Sequence, residues 1–432
     1  MARITKSQLI LLILALFVMY LPSRFEILGI FSFRLFILIA LFFAALFGTK
    51  IRINVLLNDK FFWIYIICFC IRYILANEII SMIGFLVDTV VLSFLLCSCF
   101  KKKSDIDFFV ISFIRVLVVY CGFCIIETIT GFNLWSALGL VSGNTFVRFG
   151  LYRCYGSFTT SINNGVFLCL CFPLIFYARD HIKGVHSLTK ASNILVWISL
   201  VCTLSRGPLL MAVLFHIILL WKNGIWGVVK KHFWAVSLAI IAFVVMCFVE
   251  PTKSIIHSFF DMFAAIFSDE AASRISSSFG ANANGIGHRI LLFTWVWDKL
   301  SQNNIWIGVG PNTPFDYSFV ASQGSTHIKQ SIENEYLATL YRYGIVGLVI
   351  QIIFFVSCLR KVYDRVSIER KTYNCSVEET TQFKIGTCLL CYFVTLLTVG
   401  TADEYKMLFI LLTISVSLVN CLDHQKATEN TL

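Results

Sequence analysis

A chain of 432 residues that is 58% hydrophobic and only 14% charged, with a mean hydropathy of +0.82, is not a soluble globular domain, in which about a quarter of the residues are charged. The formal net charge of +11 would suit a nucleic-acid partner, but the lysines and arginines lie between apolar runs and are not gathered in one patch, which makes the lipid bilayer the expected partner and excludes nucleic acid. The fold class predicted is an all-α integral membrane protein, because a backbone in lipid must satisfy its own hydrogen bonds and the period-2 alternation of a transmembrane barrel is absent.

The first apolar run, Leu9 to Leu21, follows Arg3 and Lys6. No small-x-small cleavage site precedes the next run, so it reads as a retained anchor helix. Stretches of about 20 mostly apolar residues recur along the chain. They predict helices at 8–22, 30–48, 61–77, 79–99, 106–126, 161–178, 192–204, 208–221, 233–250, 337–358, 384–400 and 406–422. With a cytoplasmic N-terminus, alternate connections carry Lys50, Arg52 and Lys60, then Lys101 to Lys103, Arg179, Lys183 and Lys190, Lys222, Lys230 and Lys231, and finally Arg360, Lys361, Arg365, Arg370 and Lys371. All of them fall on one side, as the positive-inside bias requires. The expectation is a multi-pass protein of a bacterial inner membrane with both termini in the cytoplasm.

The 16 cysteines do not read as a disulfide framework. Cys68, Cys70, Cys97, Cys99, Cys169, Cys171, Cys388 and Cys391 sit within apolar runs, as small apolar filler.

Two outer connections exceed a simple link. Glu127 to Thr160 is aromatic and glycine-rich and holds Arg148 and Arg153. Residues 251–336 form the larger one, inserted in a single membrane domain spanning 1–432. Its patterns predict helices at Ile255 to Ile266 and Arg289 to Leu300, with Leu291, Leu292, Trp295 and Val296 turned to the bundle or the membrane. A structureless loop of that length is uncommon, so a packed cap is expected.

Four groups of residues stand out. Ser205-Arg206-Gly207-Pro208 breaks one long apolar stretch into two short helices and leaves Arg206 at the outer boundary. There it either snorkels to lipid phosphates or binds an anion. Arg148 and Arg153 lie on the side where positive charge is disfavoured, as a solvated face, in an ion pair with Glu127, or as an anion site. Gly308-Val-Gly310 reads as a tight turn ending a helix that begins near Arg289, and a lone Gly-x-Gly is weak evidence for phosphate. Glu333 and Glu335 open the helix that re-enters the membrane, where Gly344 and Gly347 allow close helix packing. They read as a helix-dipole complement or, partly desolvated, as a base. His257, His288 and His327 are scattered without metal-ligand spacing, so no metal and no cofactor is expected.

The order of these features, Arg153 to Gly156, Leu204-Ser-Arg-Gly207, Arg289 with Gly308-Val-Gly310, then Glu333-Asn-x-Tyr-Leu337 and Tyr343-Gly-Ile-Val-Gly347, resembles the O-antigen ligase and O-antigen or capsule polymerase superfamily over about residues 145–360. The resemblance implies a membrane glycosyltransferase acting on undecaprenyl-diphosphate-linked oligosaccharide at the periplasmic face. It implies that Arg206 and Arg289 hold the donor pyrophosphate with Arg148 or Arg153 assisting, that Glu333 acts on the acceptor hydroxyl, and that Asn334, Tyr336 and His327 contact substrate. Ligases of the family open the motif with a histidine where this chain has Glu333, which favours a repeat-unit polymerase of an O-antigen, capsule or exopolysaccharide. A flippase and a chain-length regulator are the expected protein partners. The rivals are a ligase that transfers glycan to lipid A-core, a flippase or other transporter, and a non-catalytic scaffold. A transporter should carry its charges within the spans, where charges such as Arg72, Asp88 and Arg115 are few.

Overall fold

The structure, a computed structural model, describes residues 4–20, 26–27, 29–49, 59–141, 147–148, 151–222, 270, 286–313, 315, 317–320, 326–329, 332, 334–373, 375–377, 379–400 and 405–429. Helices occupy the predicted spans that fall among them: α1 (Lys6–Leu16), α2 (Ser32–Leu46), α3 (Lys60–Leu75), α4 (Ile79–Cys99, with a π turn at Val87–Val91), α5 (Lys103–Thr130), α6 (Ser161–His181), α7 (His186–Cys202), α8 (Arg206–Lys222), α10 (Glu335–Tyr373), α11 (Thr381–Thr395) and α12 (Tyr405–Glu429). The larger connection contributes α9 (Ile286–Ser301). The predicted span 233–250 and the predicted helix Ile255 to Ile266 lie outside the described residues. Among those described, α4, α5, α6 and α10 are long and apolar enough to cross a membrane. The other apolar helices are shorter. A 3-10 turn (Phe17–Met19), a one-turn helix (Leu134–Ala137) and three small antiparallel hairpins complete the described elements: β1–β2 (Glu26–Ile27 with Ile30–Phe31), β3–β4 (Val147–Arg148 with Leu151–Tyr152) and β5–β6 (Tyr317–Val320 with Thr326–Lys329).

Hydropathy locates the helices, and short polar residues set their starts. Thr5, Asp59, Thr160 and Thr380 each accept a backbone N–H of the first turn through a side-chain oxygen, which satisfies one of the amides that a helix start leaves unpaired. Gly131 ends α5 in the left-handed region at φ 73 and returns its N–H to Glu127 O, the usual glycine stop.

One helix is central. In α6, 94% of the most apolar 18-residue window is buried, against 39–50% in α4, α5 and α10. A helix apolar all round belongs inside, whereas the half-buried ones expose Ile80, Ile83, Val119, Ile126, Val349 and Ile353 to the surroundings, a surface suited to lipid and not to water.

The connections predicted for one side meet at one end. There Lys361 Nζ stands 2.6 Å from Asp59 Oδ2, Lys384 Nζ 2.6 Å from Asp180 Oδ2, and Lys103 Nζ donates to His181 O at 3.5 Å. Among the described residues, these basic connections share an end of the bundle; Lys50, Arg52, Lys230 and Lys231 lie outside the described residues. Two charges within the apolar spans are also paired structurally: Arg34 Nη2 lies 3.0 Å from Asp88 Oδ2. The guanidinium fits because Gly84 has no side chain, and a Cβ there would stand 2.3 Å from Arg34 Cζ.

α10 is not continuous. Gly344 has φ 68 and ψ −168, a region open essentially only to glycine. The groups freed by the break pair with the turn after α9: Val309 N donates to Tyr341 O at 3.0 Å, Gly310 N to Arg342 O at 3.1 Å, Ile345 N to Ile305 O at 3.0 Å and Val346 N to Trp306 O at 3.2 Å. Gly308, at φ 69, completes the clamp, since a Cβ on it would lie 2.6 Å from Gly344 N. Gly344 and Gly347 were expected to serve helix–helix packing. Gly344 instead permits a backbone-to-backbone clamp, and a Cβ on Gly347 would meet Tyr343 Cβ of its own helix at 2.2 Å. Gly344→Ala is expected to lower stability by more than the roughly 1–3 kcal/mol of backbone strain, because the new Cβ would stand 2.3 Å from Trp306 O. Thermal unfolding in detergent measures it, with Gly122→Ala as the control, where a Cβ meets nothing within 4 Å. Equal midpoints for the two variants would refute the clamp.

Candidate functional site

At the end opposite the basic residues, α5 fixes the loop that follows it. Glu127 is buried, and its two carboxylate oxygens accept Tyr155 N and Gly156 N, each at 3.0 Å. Asn133 Nδ2 donates to Gly156 O at 2.8 Å. A carboxylate accepting two backbone amides holds a loop more firmly than neutral bonds do. This gives Glu127 a role distinct from the ion pair considered for the loop arginines.

So held, the loop projects Arg153 across to the α7–α8 turn. Arg153 Nε donates to Thr203 O at 3.2 Å and Nη2 to Ser205 Oγ at 2.7 Å, while Cys154 N donates to Cys202 O at 3.1 Å. The turn itself is tight. Leu204 stands at φ 49, uncommon for a residue with a branched side chain, and Thr203 and Ser205 are buried. Ser205 O accepts Leu209 N at 3.3 Å, which makes Arg206 the first residue of the 17-residue α8. Pro208 is tolerated there because a helix's first turn needs no partner for its N–H. Pro208 packs on α6, since a Cβ on Gly165 would stand 2.7 Å from Pro208 Cβ.

Arg153 and Arg206, 53 positions apart in the chain, are thereby brought to one turn. Arg206 is half-buried and sits at the positive end of a helix dipole, where the helix amides add to its attraction for an anion. Arg148 lies on β3, opposite Leu151 of the strand that leads into Arg153. Its side chain lies outside the described residues.

The turn after α11 connects this arrangement to the start of α10. A Cβ on Gly207 would lie 3.2 Å from Val399 Cγ2, and one on Gly400 would lie 2.2 Å from Ile332 O. Glu335 N donates to Leu396 O at 3.0 Å. Residues 396–400 thus touch both the Arg206 turn and the segment leading into α10.

At that start, Asn334 Oδ1 accepts Leu337 N at 3.0 Å and caps the helix. Tyr336 donates its hydroxyl to Phe393 O at 2.8 Å. Glu333 lies outside the described residues. Its neighbour Glu335 is buried and accepts the Tyr405 hydroxyl at 3.0 Å. That hydroxyl in turn accepts Gln351 Nε2 at 2.7 Å. Tyr405 and Gln351 carry no motif in the sequence, and only the fold brings them to Glu335.

Arg289 is on the first turn of α9, with its side chain outside the described residues. The packing of α9 nevertheless shows which face meets the bundle: Leu292, Val296 and Leu300 join Phe315, Ile332, Leu337 and Tyr341 in a second apolar core. The expectation for Leu292 and Val296 holds, and Trp295 packs at the edge of that core. The side chain of Leu291 is outside the described residues. His327 lies on β6 opposite Phe319, likewise described by its backbone alone.

Beside the clamp, an apolar groove of about 350 Å³ runs between α3 and the turn at Ile307, with Tyr343 and Arg72 on its wall. Arg72 Nη2 donates to Gly308 O at 2.8 Å.

Compared with known proteins, residues 191–352 match the family described as O-antigen ligase. No curated protein matches the chain. The matched segment contains the Arg206 turn, α9, the Gly308–Gly344 clamp and the start of α10, and this match supports the resemblance to the O-antigen ligase and polymerase superfamily.

Proposed function

We propose that this protein is a polymerase of the inner membrane that joins undecaprenyl-diphosphate-linked oligosaccharide repeat units on the periplasmic face. The observation that carries the reading is the Arg153–Ser205 bond of 2.7 Å, which sets a second guanidinium beside Arg206 at the start of α8. Two cations and a helix N-terminus in one place make an anion site.

In the reaction proposed, the bond from the anomeric carbon to the lipid pyrophosphate breaks, and a bond to an acceptor sugar hydroxyl forms on the opposite face, with inversion. Arg206 and Arg289 stabilise the charge that grows on the departing pyrophosphate, and Arg153 and Arg148 assist. Glu333 takes the hydroxyl proton, and Asn334, Tyr336 and His327 hold the sugars' side of the site. The groove by Arg72 suits an isoprenoid chain running up to the pyrophosphate. A transporter is less well supported: Arg72 and Asp88 are engaged with Gly308 and Arg34, and Arg115 is exposed on α5, so these charges line no common path.

The family description favours one second reading, a ligase that transfers glycan to lipid A-core. Deleting the gene and reading surface polysaccharide on a gel separates the two. The expected result is single repeats on the lipid A-core without a ladder. Complete absence of glycan on the core would establish the ligase instead, and an unchanged ladder would refute both.

A further inference from the structure

A cavity of about 570 Å³ opens at the basic end of the bundle, between α3, α4, α10 and α12. Its mouth, at Lys361 to Arg365, lies some twenty residues along α10 from the Gly344 break, about 30 Å at 1.5 Å per residue, and so is separate from the arginine turn. Its inner wall is aromatic: Phe62 lies 6.4 Å from Phe354 and 6.1 Å from Phe409, ring centre to ring centre. Its mouth is charged, with Asp59, Lys361, Asp364 and Arg365. A polar mouth above an apolar body fits an amphiphile and not a free ion or a sugar.

The charges specify the head. Lys361 Nζ is 2.6 Å from Asp59 Oδ2, so that pair is neutral as a unit. Arg365 Nη1 donates to Ser415 Oγ at 3.2 Å, its one hydrogen bond among the described residues, and a guanidinium has five N–H groups to offer. Asp364 is exposed beside it. Asp59 also attracts Arg365, so the mouth holds two cations and two anions that balance, with Arg365 and Asp364 beside each other, the complement of a zwitterion.

Ser93 supplies an independent sign of an occupant. It is 1% exposed, lines the cavity, and among the described residues its Oγ has no hydrogen-bond partner. On the same α4, Thr89 and Ser98 donate back to Phe85 O at 2.7 Å and Phe94 O at 2.6 Å. A buried hydroxyl left without a partner is costly, and here it borders the space where a ligand acceptor would stand.

We propose that this cavity binds one glycerophospholipid whose head carries a phosphate and a primary ammonium. The phosphate meets Arg365, the ammonium meets Asp364, an ester carbonyl accepts from Ser93 Oγ, and an acyl chain lies along Phe62, Phe354 and Phe409. A quaternary ammonium cannot donate to Asp364, and a head without an amine leaves Asp364 facing a like charge.

Native mass spectrometry of the purified full chain tests this, with phosphatidylethanolamine, phosphatidylcholine and phosphatidylglycerol of the same acyl composition added in turn. The expected result is one phosphatidylethanolamine retained per chain, with the other two held about tenfold more weakly, the scale of one charge-assisted hydrogen bond. Arg365→Gln is expected to lower retention by about the same factor. Asp364→Asn, at an exposed position that leaves folding intact, should erase the preference over phosphatidylglycerol. Equal retention of the three lipids would identify ordinary boundary lipid and overturn the proposal. Displacement of the lipid by inorganic phosphate alone would identify a phosphate site, and unchanged retention in Arg365→Gln and Asp364→Asn would place the lipid elsewhere; either also overturns it.

Discussion

Arg206→Ala is expected to lower polymer formation about 10²–10³-fold, the scale of removing one preorganised group that stabilises a developing anion, while the protein remains in the membrane. Arg206 is half-buried at the first position of α8, and removing a cation from that end of a helix relieves a conflict with the dipole. Arg206→Lys keeps the charge and loses the planar fork, so an intermediate loss of roughly 10–100-fold is expected, the equivalent of one hydrogen bond to a charged group. The measurement is ladder length and amount in a complemented deletion strain, normalised to membrane expression. Full-length ladders from Arg206→Ala would remove the anion site from this turn, whatever the enzyme's reaction.

Glu127→Gln is expected to act on the same site from a distance. The carboxylate accepts Tyr155 N and Gly156 N together, and an amide has one oxygen, so one buried N–H must face an NH₂ group. The loss of a charge-assisted bond with an unpaired donor corresponds to roughly 2–4 kcal/mol. The loop that aims Arg153 at Thr203 and Ser205 then loosens, and activity falls with stability. Thermal unfolding in detergent and ladder formation should move together. A variant with the wild-type midpoint but no ladder would mean that Glu127 takes part in the reaction directly, and one with neither change would show that the loop needs no such anchor.

The two glycine motifs illustrate what a sequence can and cannot show. Gly308-Val-Gly310 and Tyr343-Gly-Ile-Val-Gly347 were each legible as a place where backbone bends or approaches closely. That they bond to one another across more than thirty residues was not, because four N–H to carbonyl bonds involve no side chain and leave no residue pattern. Similarly, Asn334 and Tyr336 stood out as polar residues next to a candidate base. The fold shows Asn334 capping α10 and Tyr336 tied to Phe393 O, contacts that depend on where α11 ends.

The sequence by itself determined the membrane class, the positions of the described helices, the gathering of the described basic connections at one end, and the arginines worth testing. Each of these follows from a local quantity: transfer free energy summed over about 20 residues, a capping oxygen, or a charge that lipid disfavours. Only the tertiary structure decided that Arg153 reaches the Arg206 turn, that Glu127 anchors a loop, that Asp88 answers Arg34, and that a charged cavity lies at the basic end. These depend on which helices are neighbours and how far each is rotated, and such long-range geometry is fixed by packing between segments distant in the chain, for which hydropathy carries no code.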